Sequence, residues 1–270
     1  MSPMEKTNSS LVEDFQRYFN LELASDERTL ADVFRIRYRV YCEEFGYEDA
    51  SRFPEGLESD EFDALSRHTL VSHTATGMPA GCARLVLVDE DTLMPMEQHC
   101  GSAIDQAILR NYDGRRDTIC EFSRLGVDGA FRRRAGEKAS RFGEIDAIDC
   151  SHREQRTFSL IAVATILSGL ALSEVLERTH CFAMMEPFLP RLLKRSGLIV
   201  HLAGDEVDYH GLRSPYYWET REMVSGMVDE LHEFYNHIRD SFERGQPVSA
   251  AFNQDTNGQP DVRIAPDSIA

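Results

Sequence analysis

Apolar residues fall along this chain in two rhythms, and polar or glycine- and proline-containing stretches separate them. Short runs rich in Val, Leu, Phe and Thr at 18–24, 68–74, 80–88, 118–127 and 181–185 predict strands, with further strands around 198–202 and 216–219. Thr76-Gly77-Met78-Pro79 joins the second and third of these as a hairpin. The longer rhythm predicts a helix capped by Ser25 or Asp26 and running to about Glu44, with Leu30, Val33 and Phe34 at helical spacing. Other helices are expected at 96–110, 157–177, 187–195 and 220–244, and 48–67 is expected to be a loop punctuated by Pro54 and Gly56. Polar residues 1–16 read as a mobile N-terminus, and 245–270, rich in Asn, Asp, Gln, Pro and Gly, as a disordered tail. That leaves 17–244 as one domain of α/β class, strands mixed with helices.

Composition narrows the picture. In 270 residues, 42% hydrophobic content supplies a sizeable core. The most apolar stretch, 158–175, carries Ser159, Thr165, Ser168, Gly169, Ser173 and Glu174, so it reads as a core helix and no integral membrane segment is expected. The first residues lack the apolar run of a signal peptide. Six cysteines without a CxxC pair suit reduced thiols and a cytoplasmic location. A net charge of −17 repels nucleic acid and anionic membranes, so neither is expected as a partner.

Several charges interrupt this pattern. Arg84 stands inside Gly81-Cys82-Ala83-Arg84-Leu85-Val86-Leu87-Val88, and Glu121 and Arg124 inside Ile119-Cys120-Glu121-Phe122-Ser123-Arg124-Leu125-Gly126-Val127. An ionised group buried without a partner costs several kcal/mol, so these residues must join an ion network or face a cavity. A carboxylate beginning a buried strand is a candidate general base, because burial raises its pKa. Alternation places Glu121 and Ser123 on one face of the strand and Arg124 on the other. Asp60 and Asp63 suit a cationic group, and Arg84 and Arg124 suit pairing with those acids or a two-pronged grip on a carboxylate. The competing reading makes Asp60, Asp63, Arg84, Glu121 and Arg124 one stabilising ion network. Ser123, His152 and His210 lack a Gly-x-Ser-x-Gly elbow, which argues against a serine hydrolase. His99, His152, His201 and His210 lack zinc-ligand spacing, so no metal is expected.

The order of the blocks is informative as well. Ile36-Arg37-Tyr38-Arg39-Val40-Tyr41-Cys42-Glu43-Glu44-Phe45-Gly46-Tyr47 is followed by Gly56-Leu57-Glu58-Ser59-Asp60-Glu61-Phe62-Asp63, then by the Arg84 strand, then by Glu121-Phe122-Ser123-Arg124. This order resembles the acyl-homoserine-lactone (autoinducer) synthases, with matches at Arg37, Asp60, Asp63, Arg84, Glu121, Ser123 and Arg124. Tyr41 and Tyr47 stand where that family carries Phe and Trp beside S-adenosylmethionine. Met185-Glu186-Pro187-Phe188-Leu189-Pro190-Arg191-Leu192-Leu193-Lys194-Arg195-Ser196-Gly197 and Tyr209-His210-Gly211-Leu212-Arg213-Ser214-Pro215-Tyr216-Tyr217 resemble the related N-acyl amino acid synthases and PEP-CTERM/exosortase-associated acyltransferases more closely.

The resemblance implies the Gcn5-type N-acetyltransferase (GNAT) fold: a central mixed, mostly antiparallel twisted sheet flanked by helices, with a bulge near Glu121 that exposes backbone donors. It implies an N-acyltransferase moving a fatty acyl group from acyl carrier protein, or acyl-CoA, to the amine of an amino acid or similar small molecule, with no tightly bound cofactor. Glu121 and Ser123 would be catalytic. Arg37, Tyr41, Tyr47, Asp60, Asp63, Arg84 and Arg124 would bind substrate. Arg132, Arg133, Arg134, Gly136 and Lys138 would hold the carrier's phosphopantetheine, in a basic turn suited to acidic acyl carrier protein. Two alternatives are homoserine-lactone synthesis from S-adenosylmethionine and a non-catalytic module that binds an acyl ligand or its carrier. The apolar helix after 157 and the strand Phe182-Ala183-Met184-Met185 would flank the acyl chain or pack as plain core.

Overall fold

A computed structural model describes residues 10–132 and 157–250. Its centre is an eight-stranded sheet. The strands are β1 (Phe19–Ala24), β2 (Ser66–His73), β3 (Pro79–Leu87), β4 (Ile119–Val127), β5 (His180–Met185), β6 (His201–Leu202), β7 (Val207–Asp208) and β8 (Leu212–Glu219). They lie in the order β1-β2-β3-β4-β5-β8-β6, with β7 paired to β8. Every pairing is antiparallel except β4 with β5. The mixed, mostly antiparallel sheet expected from sequence is therefore present.

Residue alternation divides the core between the two faces. Leu85 and Cys120 face the main core, which α1 (Leu11–Tyr18), α5 (Ser159–Val175) and α8 (Asp229–Glu243) build with Phe15, Ala164 and Phe234. The next residues along, Val86 on β3 and Ile119 on β4, join a second cluster with Met94, Met96 and Phe182. On that same second face, Cys82 and Leu70 pack under α2 (Glu27–Arg37) through Val33 and Ile36. Helix α5 lies close to the sheet because of Gly169, where an added Cβ would fall 1.7 Å from Phe122 Cζ.

The pairing of β4 with β5 is the feature that positions the site. It covers only Ile119↔His180, Cys120↔Cys181 and Glu121↔Phe182. Beyond Glu121 the pairing stops, and among the described residues the edge of β4 that faces β5 has no strand partner there. A wedge opens there, with Phe122–Val127 on one side and Ala183–Met185 on the other.

Several elements depart from the sequence reading. Within the segment expected to be a mobile N-terminus, the side chains of Ser10 and Glu13 form a capping box at the start of α1, and residues 1–9 lie outside the described residues. Asp26 caps α2 as expected, but the last turns, Tyr38–Glu44, widen into a π-helix. The helix expected at 96–110 is two helices, α3 (Pro95–Cys100) and α4 (Gln106–Arg110), because Asp105 starts a new N-cap and Ile104 bridges Gly204. The strand around 198–202 shortens to β6, while β8 begins at Leu212. The short helix near 187–195 is α6 (Leu189–Arg195). The charged helix after 219 breaks at Gly226 into α7 (Thr220–Ser225) and α8. At the start of the expected tail, Val248 is buried and exchanges two backbone hydrogen bonds with Leu21. Among the described residues no helix is long and apolar enough to cross a membrane.

Candidate active site

Glu121 ends the part of β4 that is paired with β5 and is 3% exposed. The backbone N–H of Met96 donates to its Oε2 at 2.7 Å. Burial raises its pKa to about 8, against the lowering effect of that hydrogen bond and of Arg84. It is therefore a carboxyl group that gains and loses a proton close to neutral pH.

Arg84, 1% exposed, lies directly opposite Ser123 across β3 and β4. Its Nε donates to Ser123 Oγ at 2.9 Å, and its Nη1 reaches Asp60 Oδ1 at 2.5 Å and Asp63 Oδ1 at 2.9 Å. Among the described residues its buried Nη2 has no hydrogen-bond partner.

One residue further on the strand bulges. The register passes from Arg84↔Ser123 to Cys82↔Gly126, so Arg124 and Leu125 together face one residue of β3, and Arg124 takes φ 49°. This corrects the alternation argument. The left-handed backbone turns Arg124 to the side where Arg84 stands, and both donate to Asp60, Arg124 Nη2 reaching its Oδ2 at 3.2 Å. The same Nη2 also meets Glu58 Oε1 at 3.1 Å and Glu48 Oε1 at 3.0 Å.

Arg37 is fully buried at the end of α2, bound to Glu58 Oε2 at 2.5 Å and Asp63 Oδ1 at 2.6 Å. Asp63 Oδ2 also accepts the N–H of Asp60 at 2.7 Å. Burial works against the charge on Asp63, but Arg37 and Arg84 hold its pKa at about 2. Arg37, Asp60 and Asp63 thus fix Arg84 and Arg124 from behind and do not line the cavity.

That cavity, of about 180 Å³, fills the wedge between β4 and β5. Glu121, Ser123, Arg84 and Arg124 form its polar end, and Tyr41, Phe45, Tyr47 and Tyr209 its aromatic wall. Tyr41 Oη donates to the Leu125 carbonyl at 3.0 Å, and the Arg124 guanidinium lies 5.2 Å from the Tyr41 ring centroid. Arg213 lies 5.4 Å from the Tyr47 ring. At the other end Phe122, Leu125, Met185 and Leu189 are shared with a smaller apolar cavity of about 40 Å³ that Leu170, Leu193, Leu198, Trp218 and Met223 complete.

The structure therefore gathers Glu121, Ser123, Arg84, Arg124, Tyr41 and Tyr47 around one cavity and sets Arg37, Asp60 and Asp63 behind it. Of the carrier-binding residues expected from sequence, Arg132 lines the cavity and pairs with Glu44, while Arg133, Arg134, Gly136 and Lys138 lie outside the described residues. Sequence reasoning missed Glu48 and Glu58, the acids that hold Arg124, and Tyr209 and Arg213 in the cavity wall. Glu58 had a signal, a third acid two residues ahead of Asp60. Glu48 had none.

Comparison with known proteins agrees with this architecture. The acetyltransferase (GNAT) domain model matches residues 36–140. Among solved structures, TofI in a ternary complex with an inhibitor and MTA superposes with a TM-score of 0.55 at 16% identity, covering 78% of this chain and 98% of TofI. The CoA-dependent acyl-homoserine lactone synthase MesI gives 0.52 at 18% identity, covering 82% and 95%. FeeM, an N-acyl amino acid synthase from uncultured soil microbes, gives 0.51 at 12% identity, covering 80% and 97%. No curated protein matches in sequence. The fold is that of the GNAT acyltransferases, in the elaboration seen in acyl-homoserine lactone and N-acyl amino acid synthases.

Proposed function

We propose that the protein is an N-acyltransferase that moves a fatty acyl group from a thioester carrier, acyl carrier protein or coenzyme A, to the amine of an amino acid or similar small molecule. One observation carries the reading. A buried carboxyl group with its pKa raised to about 8 stands where β4 and β5 separate, at the polar end of a cavity whose other end is apolar.

The chemistry follows from that placement. The thioester enters the wedge with its acyl chain between Phe122, Leu125, Met185 and Leu189. The ionised Glu121 takes a proton from the acceptor's ammonium group, directly or through water. The freed nitrogen attacks the thioester carbonyl, a C–N bond forms, and collapse of the tetrahedral intermediate breaks the C–S bond. The sulfur leaves as a thiol after taking up a proton, and the products are an amide and the free carrier. Negative charge developing on the carbonyl oxygen would meet backbone N–H groups on the unpaired edge of β4, which cost no reorganisation during the reaction. Ser123, held by Arg84, keeps that guanidinium fixed beside the reacting groups. Arg124 acts similarly on the aromatic wall through Tyr41.

The test is mass spectrometry of small molecules extracted from bacteria expressing the protein. An N-acyl amino acid present with wild type and absent with Glu121→Gln supports the reading and names both substrates. An acyl lactone would assign S-adenosylmethionine as acceptor instead. Unchanged extracts, with an acyl carrier bound tightly to both proteins, would favour a non-catalytic binding module.

A further inference from the structure

The hydrogen bond that reaches Glu121 comes from outside the sheet, from the backbone N–H of Met96 on α3. Helix α3 has six residues, too few to be stable by itself, so other contacts must fix where that N–H points. Buried Pro95, Met96 and Cys100 supply apolar contacts, which set position better than direction. Direction comes from Glu97, the next residue after Met96. Its Oε2 accepts the Met94 N–H at 2.8 Å, which ties the first turn of α3 to the chain before it.

The other side of Glu97 is held by Arg116, a residue whose role the sequence did not suggest. Arg116 donates to both Glu97 oxygens, Nη1 to Oε1 at 3.1 Å and Nη2 to Oε2 at 2.6 Å, in a two-pronged contact. Its remaining bonds go to the carbonyls of Asp89, from Nε at 3.1 Å, and of Thr92, from Nη2 at 3.1 Å. Every guanidinium nitrogen is used, and both side chains are only about a tenth exposed, 11% and 10%. Arg116 lies just ahead of β4, the strand that carries Glu121. The contacts therefore close a ring that runs from Glu121 to Met96, Glu97 and Arg116 and back along the chain to β4. Neither Arg116 nor Glu97 lines the cavity, so neither is placed to touch a substrate. A buried ion pair adds little net stability over apolar packing, and what this one supplies is direction.

Resting on the acyltransferase reading, we infer that Arg116 and Glu97 are positioning residues that hold α3, and with it the Met96 N–H, on the carboxylate of Glu121. The charged and titratable groups around Glu121 among the described residues are Arg84 on β3, Arg124 and Cys120 on β4, Glu97 and Cys100 on α3, and Tyr209 before β8. Within that set the pair acts in two directions. The Met96 N–H favours the charged form of Glu121, and the negative charge of Glu97 opposes it. Loss of Arg116 frees α3 and leaves Glu97 uncompensated, and both changes favour the protonated form of Glu121. Loss of the Glu97 charge alone favours the carboxylate, because a glutamine oxygen still accepts the Met94 N–H.

The test is an NMR titration of protein isotope-labelled at the glutamate side-chain carboxyls, with the Glu121 signal assigned by its absence from Glu121→Gln. Arg116→Gln should move the Glu121 midpoint up by about one unit, the size of one hydrogen bond to a charged group. Glu97→Gln should move it down by about half a unit or more, and Arg116→Lys should fall between wild type and Arg116→Gln. Opposite shifts from the two partners of one ion pair are not expected of a clamp that only stabilises. A lower melting temperature with an unmoved midpoint in Arg116→Gln would make the pair structural and overturn the inference. If Arg116→Gln does not fold, the near-isosteric Glu97→Gln decides, and a midpoint that stays or rises overturns it. The predicted shifts, with no acyl transfer by wild type to any amine, would count against the acyltransferase reading alone.

Discussion

Two sets of charged residues share one face of the sheet and behave differently. In the set at the end of α2, Arg37, Glu58, Asp60 and Asp63 bind one another at 2.5–2.9 Å or through Arg84, and among the described residues only Arg37 Nη2 of this set is a buried side-chain donor without a hydrogen bond. In the set along the cavity, Glu121 is held by a single backbone N–H, and Arg84 and Arg213 each keep a buried donor free. A saturated network resembles a scaffold: remove one member and its partners are stranded. An unsaturated wall resembles a site, because its missing partners are those a substrate brings. We propose that the two readings open from sequence, catalysis and structural ion network, divide between these two sets of residues.

Substitutions should separate them. The largest effect expected is on turnover. Glu121→Gln should lower acyl transfer by about a hundredfold or more, the usual contribution of a general base, and leave the fold intact. Its stability effect has a definite sign. Because the folded pKa of about 8 lies above the ordinary carboxyl value of 4.5, the folded protein keeps a proton that the unfolded chain releases between those values. Stability of the wild type should therefore fall as pH rises through that window, and chemical denaturation of Glu121→Gln should lack this fall.

Behind the wall the order reverses. Arg37→Met should destabilise by roughly 3–5 kcal/mol, the cost of breaking a buried pair, and is read by thermal melting. Asp63→Asn should cost roughly 2 kcal/mol at neutral pH, since the folded pKa of about 2 lies below the ordinary 3.8. That contribution is present above pH 3.8 and disappears as pH falls toward 2, so wild type and variant should converge in acid. A melting temperature for Arg37→Met within a degree of wild type would break the comparison.

The smallest effect sharpens the apolar end. Gly169→Ala would place a methyl group 1.7 Å from Phe122 Cζ and push that ring toward the cavities it lines. The variant should lose about 1–3 kcal/mol of stability and shift product distribution toward shorter acyl chains, measured by mass spectrometry. Unchanged chain lengths would place the acyl group elsewhere.

Much of this was readable from residues alone. Branched apolar runs gave β2 to β5, and charges in those runs identified Arg84, Glu121 and Arg124 as unusual. The orientation of Arg124 was not readable, because period-two reasoning assumes an unbroken ladder and a bulge with φ 49° leaves no compositional mark. Glu48 and Glu58 sit in a loop, where spacing does not encode direction. Arg213 reaches the cavity from β8, far along the chain, and only the pairing order of the sheet brings it there. Helix breaks at Gly101–Asp105 and Gly226–Val228 were hidden by apolar spacing that continues across both.

The most direct measurement is the pH dependence of amine-dependent thiol release from an acyl thioester by purified wild type and Glu121→Gln. The account predicts that wild-type release requires an amine and rises through an apparent pKa near 8, and that the variant is at least a hundredfold slower without that rise. Thiol release that proceeds equally without amine, or a variant as fast as wild type, would contradict it.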